Sequence, residues 1–404
     1  MEKKLLISNA PLYNGNRGCV ALTYSIMYLL YQEARSNGIE LTFFLSNSGN
    51  AAKENGSISI GDVEIPFLNI EPLSFDIRDL IKLVFKPHRL LQSIKAYRSV
   101  DYMLDIGQGD SFADIYGVRR FNLIFKSHQI AHFLKKKFCI LPQTIGPFKA
   151  PLIKKKANRS INQSDLVFVR DRQSFDYVLA NTQQKNVFEI TDVAFFMPFV
   201  KKDFSKDFTH VGLNISALLW HGGYTKNNQF GLTVDYPILI KKIIDYFLTM
   251  DNVRVHLIPH VVNSEYSIEN DYAVSFQISE EYNNPNIILA PLFLTPIIAK
   301  NYIAGMDFFM GARMHATIAA FSSEVPVYPM AYSRKFNGLF MDTLDYKYMG
   351  DMLTQSVDEI MHGIKKSFEQ RTFLKELIEG RMKGTVQDRK TLFISNIVDF
   401  LHFN

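Results

Sequence analysis

Arg313 and His315 stand two positions apart within FFMGARMHATIAAFSSEVPVYPMAYSRKF, the stretch from Phe308 to Phe336. A guanidinium beside an imidazole can hold an anion and move a proton near neutral pH. Ser333 and Lys335, after Tyr332 at the far end of the same stretch, add a hydroxyl and an ammonium suited to a phosphate. Arg170 follows the apolar run Leu166–Val169 and offers another fork. Either it binds an anion at a strand end, or it forms a plain surface pair with Asp171. Two glycine-containing loops, NAPLYNGNRG from Asn9 to Gly18 and GQGD from Gly107 to Asp110, allow close backbone approach to a bulky ligand. Their polar members are Asn14, Gly15, Asn16, Gly109 and Asp110. Asp110 either binds a ligand's hydroxyls, serves as a base, or caps the following helix, and the first loop either touches a ligand or only turns the chain into a helix. Gln143 adds a neutral hydrogen-bonding group in the rigid PQTIGPF loop. There is no CxxC, HExxH or DxD pattern for a metal and no Gly-x-Ser-x-Gly elbow for a serine hydrolase. The remaining set suits a small, highly anionic ligand held without a cation.

These residues need elements that present them on one rim. Met306–Met310 reads as a buried strand, and Gly311-Ala312 permits a tight turn. Met314, Ile318 and Phe321 give the apolar stripe of a following helix. Arg313 and His315 then fall in its first turn, where the dipole and unbonded N–H groups attract anions. Val325–Met330 predicts a second strand ending at Tyr332–Lys335, so both polar clusters lie at carboxyl ends of strands in one α/β sheet. Elsewhere the pattern predicts strands at Lys4–Ser8, Ile39–Leu45, Tyr102–Ile106, Phe138–Leu141, Leu166–Val169, His210–Ser216, Val253–Pro259 and Ile287–Leu289. Helices are expected at Val20–Ser36, capped by Asn37-Gly38, and near Pro296–Ala304. Gly49–Gly61 reads as polar loop or hairpin, and Pro198–Phe208 as a charged linker. The only Trp, Trp220, sits beside Gly222 and Gly223, which suits stacking on a sugar or on another domain.

A chain of 404 residues exceeds what one core usually supports, so two domains are expected. Hydrophobic content of 47% with 21% charged residues is ordinary for a globular enzyme. A net charge of +5 is too modest for a nucleic-acid binder, and none is expected as a partner. Two cysteines cannot form a disulfide framework, and no run approaches a membrane span or a signal-peptide core. The expected location is the cytoplasm. The basic–apolar segment Lys82–Arg98 is either a solvated helix pair broken at Pro87 or a peripheral contact with the inner membrane surface.

The string G-A-R-M-H-A, followed by a strand and A-Y-S-R-K, resembles the signature of the polysaccharide pyruvyl transferase family. The resemblance extends through L-P-Q-T-I-G-P-F around Gln143, R-D-x-x-S at Arg170, Asp171 and Ser174, D-x-A-F at Asp192, and the strand ending at Ser216. Two departures stand out: Cys19 replaces the acidic residue of a G-N-x-G-D pattern, and Gln108 interrupts a glycine-rich G-G-G-D-like turn. The resemblance implies transfer of a pyruvyl group from phosphoenolpyruvate to sugar hydroxyls of a surface or capsular polysaccharide precursor, as a ketal, with phosphate released. It implies no cofactor beyond phosphoenolpyruvate as co-substrate, and a glycan acceptor, lipid-linked or not. Arg313 and His315 then carry donor binding and catalysis, with Arg170, Ser333 and Lys335 completing the donor site. Asn14, Gly15, Asn16, Gly109, Asp110 and Gln143 fall to the acceptor. The expected architecture is α/β with two facing Rossmann-like domains of GT-B type. These are residues 1–200 on the acceptor side and 201–385 on the donor side, with a helix over 386–404 bracing the first domain. Two other readings remain: a metal-independent GT-B glycosyltransferase using a nucleotide sugar, and a non-catalytic sugar-binding relative in which Cys19 and Gln108 mark lost activity.

Overall fold

The computed structural model describes residues 2–46, 55–73, 84–85, 87–263 and 267–403. The chain resolves into two compact units. One holds the chain up to Asn14, Leu22–Phe196 and Asp388 onward; the other holds Gly15–Ala21 and Met197–Gln387.

The first unit is built on an eight-stranded sheet in the order β3-β4-β2-β1-β5-β6-β7-β8. Its strands are β1 (Glu2–Ser8), β2 (Glu40–Ser46), β3 (Gly56–Ile60), β4 (Val63–Asn69), β5 (Tyr102–Asp105), β6 (Lys137–Gln143), β7 (Leu166–Val169) and β8 (Val187–Glu189). All described pairings are parallel except β3 with β4, a hairpin turned at Gly61 with φ +59°. Residues 49–54 of the expected Gly49–Gly61 segment lie outside the described residues. So do residues 82, 83 and 86 of the basic–apolar segment. The helices are α1 (Arg17–Ser36), α2 (Pro87–Ser99), α3 (Val118–Phe133), α4 (Pro151–Gln163) and α5 (Arg172–Asn181). Strands β5 and β7 are buried at every position, as a parallel sheet covered on both faces requires. Leu6, Met103, Phe121, Ile140 and Val167 belong to the core packed there.

The second unit carries a six-stranded sheet, β11-β10-β9-β12-β13-β14, all parallel. Its strands are β9 (Thr209–Asn214), β10 (Val253–Leu257), β11 (Ile287–Leu289), β12 (Phe308–Gly311), β13 (Val327–Ala331) and β14 (Gly350–Asp351). Its main helices are α6 (Ala217–Trp220), α7 (Tyr236–Leu248), α8 (Asp271–Tyr282), α9 (Pro296–Ile303), α10 (Met314–Ser322), α11 (Val357–Glu369) and α12 (Arg371–Arg381), with one further short turn of helix at Arg334–Phe336. The final helix, α13 (Gln387–Leu401), packs on the first sheet through Phe393 against Phe168 (ring centroids 4.9 Å apart) and Phe400 against Tyr102 (5.4 Å). Arg389 on that helix pairs with Glu189 of β8. Among the described residues, no helix is long and apolar enough to cross a membrane.

Three local differences from the sequence reading have clear causes. Helix α1 begins at Arg17 rather than Val20, because the Asn16 side chain accepts the Gly18 N–H (3.0 Å) and caps the helix three residues earlier. Arg313 is the cap residue of α10, in extended conformation, rather than a first-turn residue. The expected linker is laced to α9. The Lys202 N–H donates to Asn301 O (3.1 Å), the Val200 N–H to Asn301 Oδ1 (2.8 Å), and the buried Lys300 ammonium to Met197 O (2.7 Å). Burial pushes the Lys300 pKa down to about 7.

Candidate active site

The polar residues of the Phe308–Phe336 stretch lie at the carboxyl ends of β12 and β13, beside the ends of β9 and β10. Strand β12 ends at Gly311, whose missing side chain lets it close on β9; a Cβ there would lie 2.9 Å from Asn214 Cβ. Asn214 uses that proximity. Its Oδ1 accepts the Arg313 N–H (3.0 Å) and its Nδ2 donates to Ile258 O (2.9 Å), so one buried amide ties three strand ends together.

The Arg313 side chain is then fixed by Asp271 at the start of α8. Nη2 donates to Oδ1 at 2.8 Å, and Nε lies 3.2 Å from Oδ2. Asp271 is fully buried and also accepts N–H groups from Ala217 (2.9 Å), Val261 (2.9 Å) and His260 (3.3 Å). Burial works against the Arg313 charge, but Asp271 beside it more than compensates and holds the guanidinium pKa above its ordinary value. The Nε–Nη2 edge is thus committed to a protein carboxylate. Nη1 takes no part in that pairing.

His315 lies two residues on, in the first turn of α10, with Gly18 of α1 against its ring. A Cβ on Gly18 would come 2.4 Å from His315 Nδ1. The segment that brings Gly18 there is held by the loop after β10. The Arg17 N–H donates to His260 O (3.1 Å), Asn16 bridges Val261, and the Val262 N–H donates to Gly15 O (2.8 Å). Gly15 and Asn16, expected to serve an acceptor on the first domain, therefore belong to the second unit with His315. His260 is buried, and its pKa is pushed down to about 3 by burial first and then by its neighbours His315, Arg313 and Arg17. Arg17 and Asn214 were missed as site residues in the sequence. Their signal is tertiary, although Arg17 stands in the glycine loop singled out there. Ser333 and Lys335 follow β13, which pairs with β12 through Gly311 and Pro329. Ser333 Oγ is buried without a hydrogen-bond partner among the described residues, and Lys335 Nζ lies 5.9 Å from the Tyr332 ring centroid.

Asn14, Gly109, Asp110, Gln143 and Arg170 belong to the first unit. Gly107, Gln108 and Gly109 all have positive φ. The turn is that tight because Gln143 fills the space beneath it: a Cβ on Gly107 would lie 1.6 Å from Gln143 Oε1. Gln143 is fully buried and donates to Asp105 O (3.1 Å), so it supports the glycine turn from below instead of facing an acceptor. Asp110 accepts the Tyr116 hydroxyl (2.8 Å), and Gln108 Oε1 accepts from Arg120 Nη2. Arg170 needs correction too. It is 1% exposed, its Nη1 donates to Asp192 Oδ2 at 2.6 Å, and its Nε donates to Thr144 Oγ1 at 2.9 Å. The anion that a strand-end arginine demands is here a protein carboxylate, Asp192, not a ligand and not the neighbouring Asp171. One buried chain resembles a hydrolytic triad: Asp105 Oδ2 to His128 Nε2 (3.1 Å), and His128 Nδ1 to Ser160 Oγ (2.9 Å). Ser160 is 1% exposed and also bonds His132, so the chain is a core network and not a nucleophile site.

The Gly18 contact gives a direct test. Gly18→Ala suits the helix better, yet its Cβ displaces the His315 ring. If the ring takes part in the reaction proposed below, turnover should fall by at least about tenfold, since small displacements of a reacting group are costly, with melting temperature little changed. Unaltered turnover would mean that the His315 ring position is immaterial.

Two Rossmann-like α/β units, one on each parallel-rich sheet, define the GT-B class of fold. The chain resembles solved structures of that class over nearly its whole length. An S. aureus MnaA–UDP co-structure is 11% identical with TM-score 0.60, covering 100% of this chain and 98% of that one. UDP-GlcNAc 2-epimerase from Methanocaldococcus jannaschii is 11% identical with TM-score 0.54, over 90% and 92%. Anabaena Alr3699/HepE in complex with UDP is likewise 11% identical with TM-score 0.54, over 98% and 100%. At that identity the likeness shows the fold alone. No curated protein matches the chain. Residues 17–334 match the model of the polysaccharide pyruvyl transferase family, and the chain belongs to that family.

Proposed function

We propose that the protein transfers a pyruvyl group from phosphoenolpyruvate to sugar hydroxyls of a polysaccharide precursor, forming a ketal and releasing phosphate. The observation that carries this reading is His315 lodged against Gly18, close to His260 and beside an Arg313 locked by Asp271. Family membership supports the transferase class.

Phosphoenolpyruvate carries a carboxylate and a phosphate. The Nη1 end of Arg313 suits one anionic group by a charge-assisted hydrogen bond, while Ser333, Lys335 and the N-terminus of α10 suit the other. In the reaction, a proton adds to the methylene carbon while a sugar oxygen bonds to the central carbon. The hydroxyl proton leaves with a base, and the C–O bond to phosphate then breaks. A second hydroxyl of the same sugar adds to that carbon and loses its proton, which closes the ketal. His315 is the group assigned to proton transfer. The Gly107–Asp110 turn of the first unit, with Asp110 and Asn14, is assigned to glycan hydroxyls. Cationic side chains, and no metal, neutralise the donor in this reading.

The test is phosphate release from phosphoenolpyruvate, dependent on a glycan acceptor and insensitive to EDTA. Release of nucleotide from a nucleotide sugar, or activity abolished by EDTA and restored by Mg²⁺, would overturn it in favour of a glycosyltransferase.

A further inference from the structure

A pocket of about 400 Å³ lies in the second unit between α6, the loop that follows it and the start of α7. Trp220, His221, Lys226, Phe230 and Tyr236 are among its lining residues. We propose that this pocket binds one sugar ring of the glycan acceptor, with the Trp220 indole as its stacking platform; the identity of the glycan rests on the function proposed above.

The loop is built, not slack. Gly222, Gly223, Lys226, Asn228 and Gly231 all take positive φ, two of them without being glycine. At Lys226 and Asn228 such a conformation is held by surrounding contacts. Here the Gln229 N–H donates to Gly222 O (3.0 Å), and the Asn228 side chain bonds Leu232 at both its N–H and C=O (2.8 Å each). The Thr233 N–H donates to Met352 O (2.9 Å). A Cβ on Gly223 would strike the Gln229 side chain at 2.5 Å, so the turn tolerates little else.

The lining has the chemistry of carbohydrate recognition. Trp220 and Phe230 are half-buried aromatics, while His221 and Lys226 are exposed polar groups at the same opening. A pyranose offers an apolar face of C–H groups to an indole and hydroxyls at its edge to an imidazole and an ammonium. The volume falls in the range of small-ligand sites. The pocket also belongs to the rim of the candidate site. Tyr236 accepts the Ser216 N–H at 3.0 Å, and the next N–H, of Ala217, bonds Asp271. Phe230 packs edge-on against Tyr332 (ring centroids 5.2 Å apart), the residue before Ser333.

Trp220 is the only tryptophan, so tryptophan-selective fluorescence reads this pocket alone. The full chain, without phosphoenolpyruvate, is titrated separately with di- to tetrasaccharides of hexose and hexuronic acid and with UDP. A saturable response to at least one oligosaccharide and none to UDP is expected. Lys226→Ala, at an exposed loop position, should weaken that response severalfold. In turnover assays, Trp220→Ala should raise the acceptor KM about tenfold, the scale of one aromatic contact, and leave the donor KM and kcat unchanged. A response to UDP only, no response to any sugar, or unchanged acceptor affinity in both variants would overturn the proposal. Because the titration omits the donor, sugar binding without phosphate release would reject the proposed reaction and leave this site standing.

Discussion

Replacing His315 with glutamine lowers kcat by about 10²–10⁴-fold, the usual contribution of general acid–base catalysis, and changes donor affinity far less. Glutamine keeps polarity and approximate length in the first turn of α10, and the Gly18 surface against the ring demands nothing larger. What it loses is the ability to take up and release a proton. His260 cannot replace it. That ring is buried, and burial, with Arg313 and Arg17 nearby, still holds its pKa below the ordinary imidazole value when His315 is gone. The protein should remain folded, since His315 is only half-buried and glutamine keeps its polarity and approximate length. The measurement is steady-state phosphate release with donor KM determined in parallel. Near-normal turnover would reduce His315 to a spacer for Gly18 and place the proton donor elsewhere.

The strand–glycine–helix geometry around Arg313 was legible because it is local. A strand of buried residues, a small residue at the turn and a helical stripe can all be read within one stretch. The fold class followed from the same alternation repeated along the chain, and the family from motifs spread through both halves. What stayed hidden is tertiary. Arg170 looked like a ligand-binding arginine because its partner, Asp192, arrives only when β8 and the turn after it pair alongside β7. Gln143 looked like a hydrogen-bonding group of a rigid loop, but β6 continues through Pro142 and carries it beneath the glycine turn. Gly15 and Asn16 looked like N-terminal-domain residues because they follow β1 in sequence. Backbone bonds to the loop after β10 assign them to the other unit.

The corrections to Arg170 and Arg313 share one physical cause. A guanidinium at a strand end that is removed from water must be paired, and in both units a carboxylate of the protein does the pairing. The two differ in what is left over. Arg170 is sealed at 1% exposure, whereas Arg313 sits at the rim with 9% of its surface open, one residue from a helix N-terminus. A pre-paired arginine of the second kind is rigid before the ligand arrives, so little conformational entropy is lost on binding. In the proposed reaction it would act as an oriented donor, with Asp271 as its positioning residue.

Asp271→Asn should therefore be among the most damaging single changes in the second unit. The substitution preserves shape, yet five N–H donors converge on this carboxylate: three from the backbone of Ala217, His260 and Val261, and Nε and Nη2 of Arg313. An amide offers one acceptor oxygen and turns an NH₂ toward donors that already point inward. It also leaves the Arg313 charge buried without its counterion. Breaking a buried pair in this way costs about 3–5 kcal/mol, read as a fall in unfolding free energy by chemical denaturation. The kcat/KM should drop by at least about 10²-fold, because Arg313 loses its fixed orientation. Arg313→Met should cost less stability, since Asp271 keeps its three backbone donors. The double variant Asp271→Asn with Arg313→Met should recover much of the stability lost by Asp271→Asn alone while remaining inactive. Strict additivity of the two single variants in stability would show that the pair is not coupled. Recovery of activity in the double variant would show that Arg313 does not bind the donor.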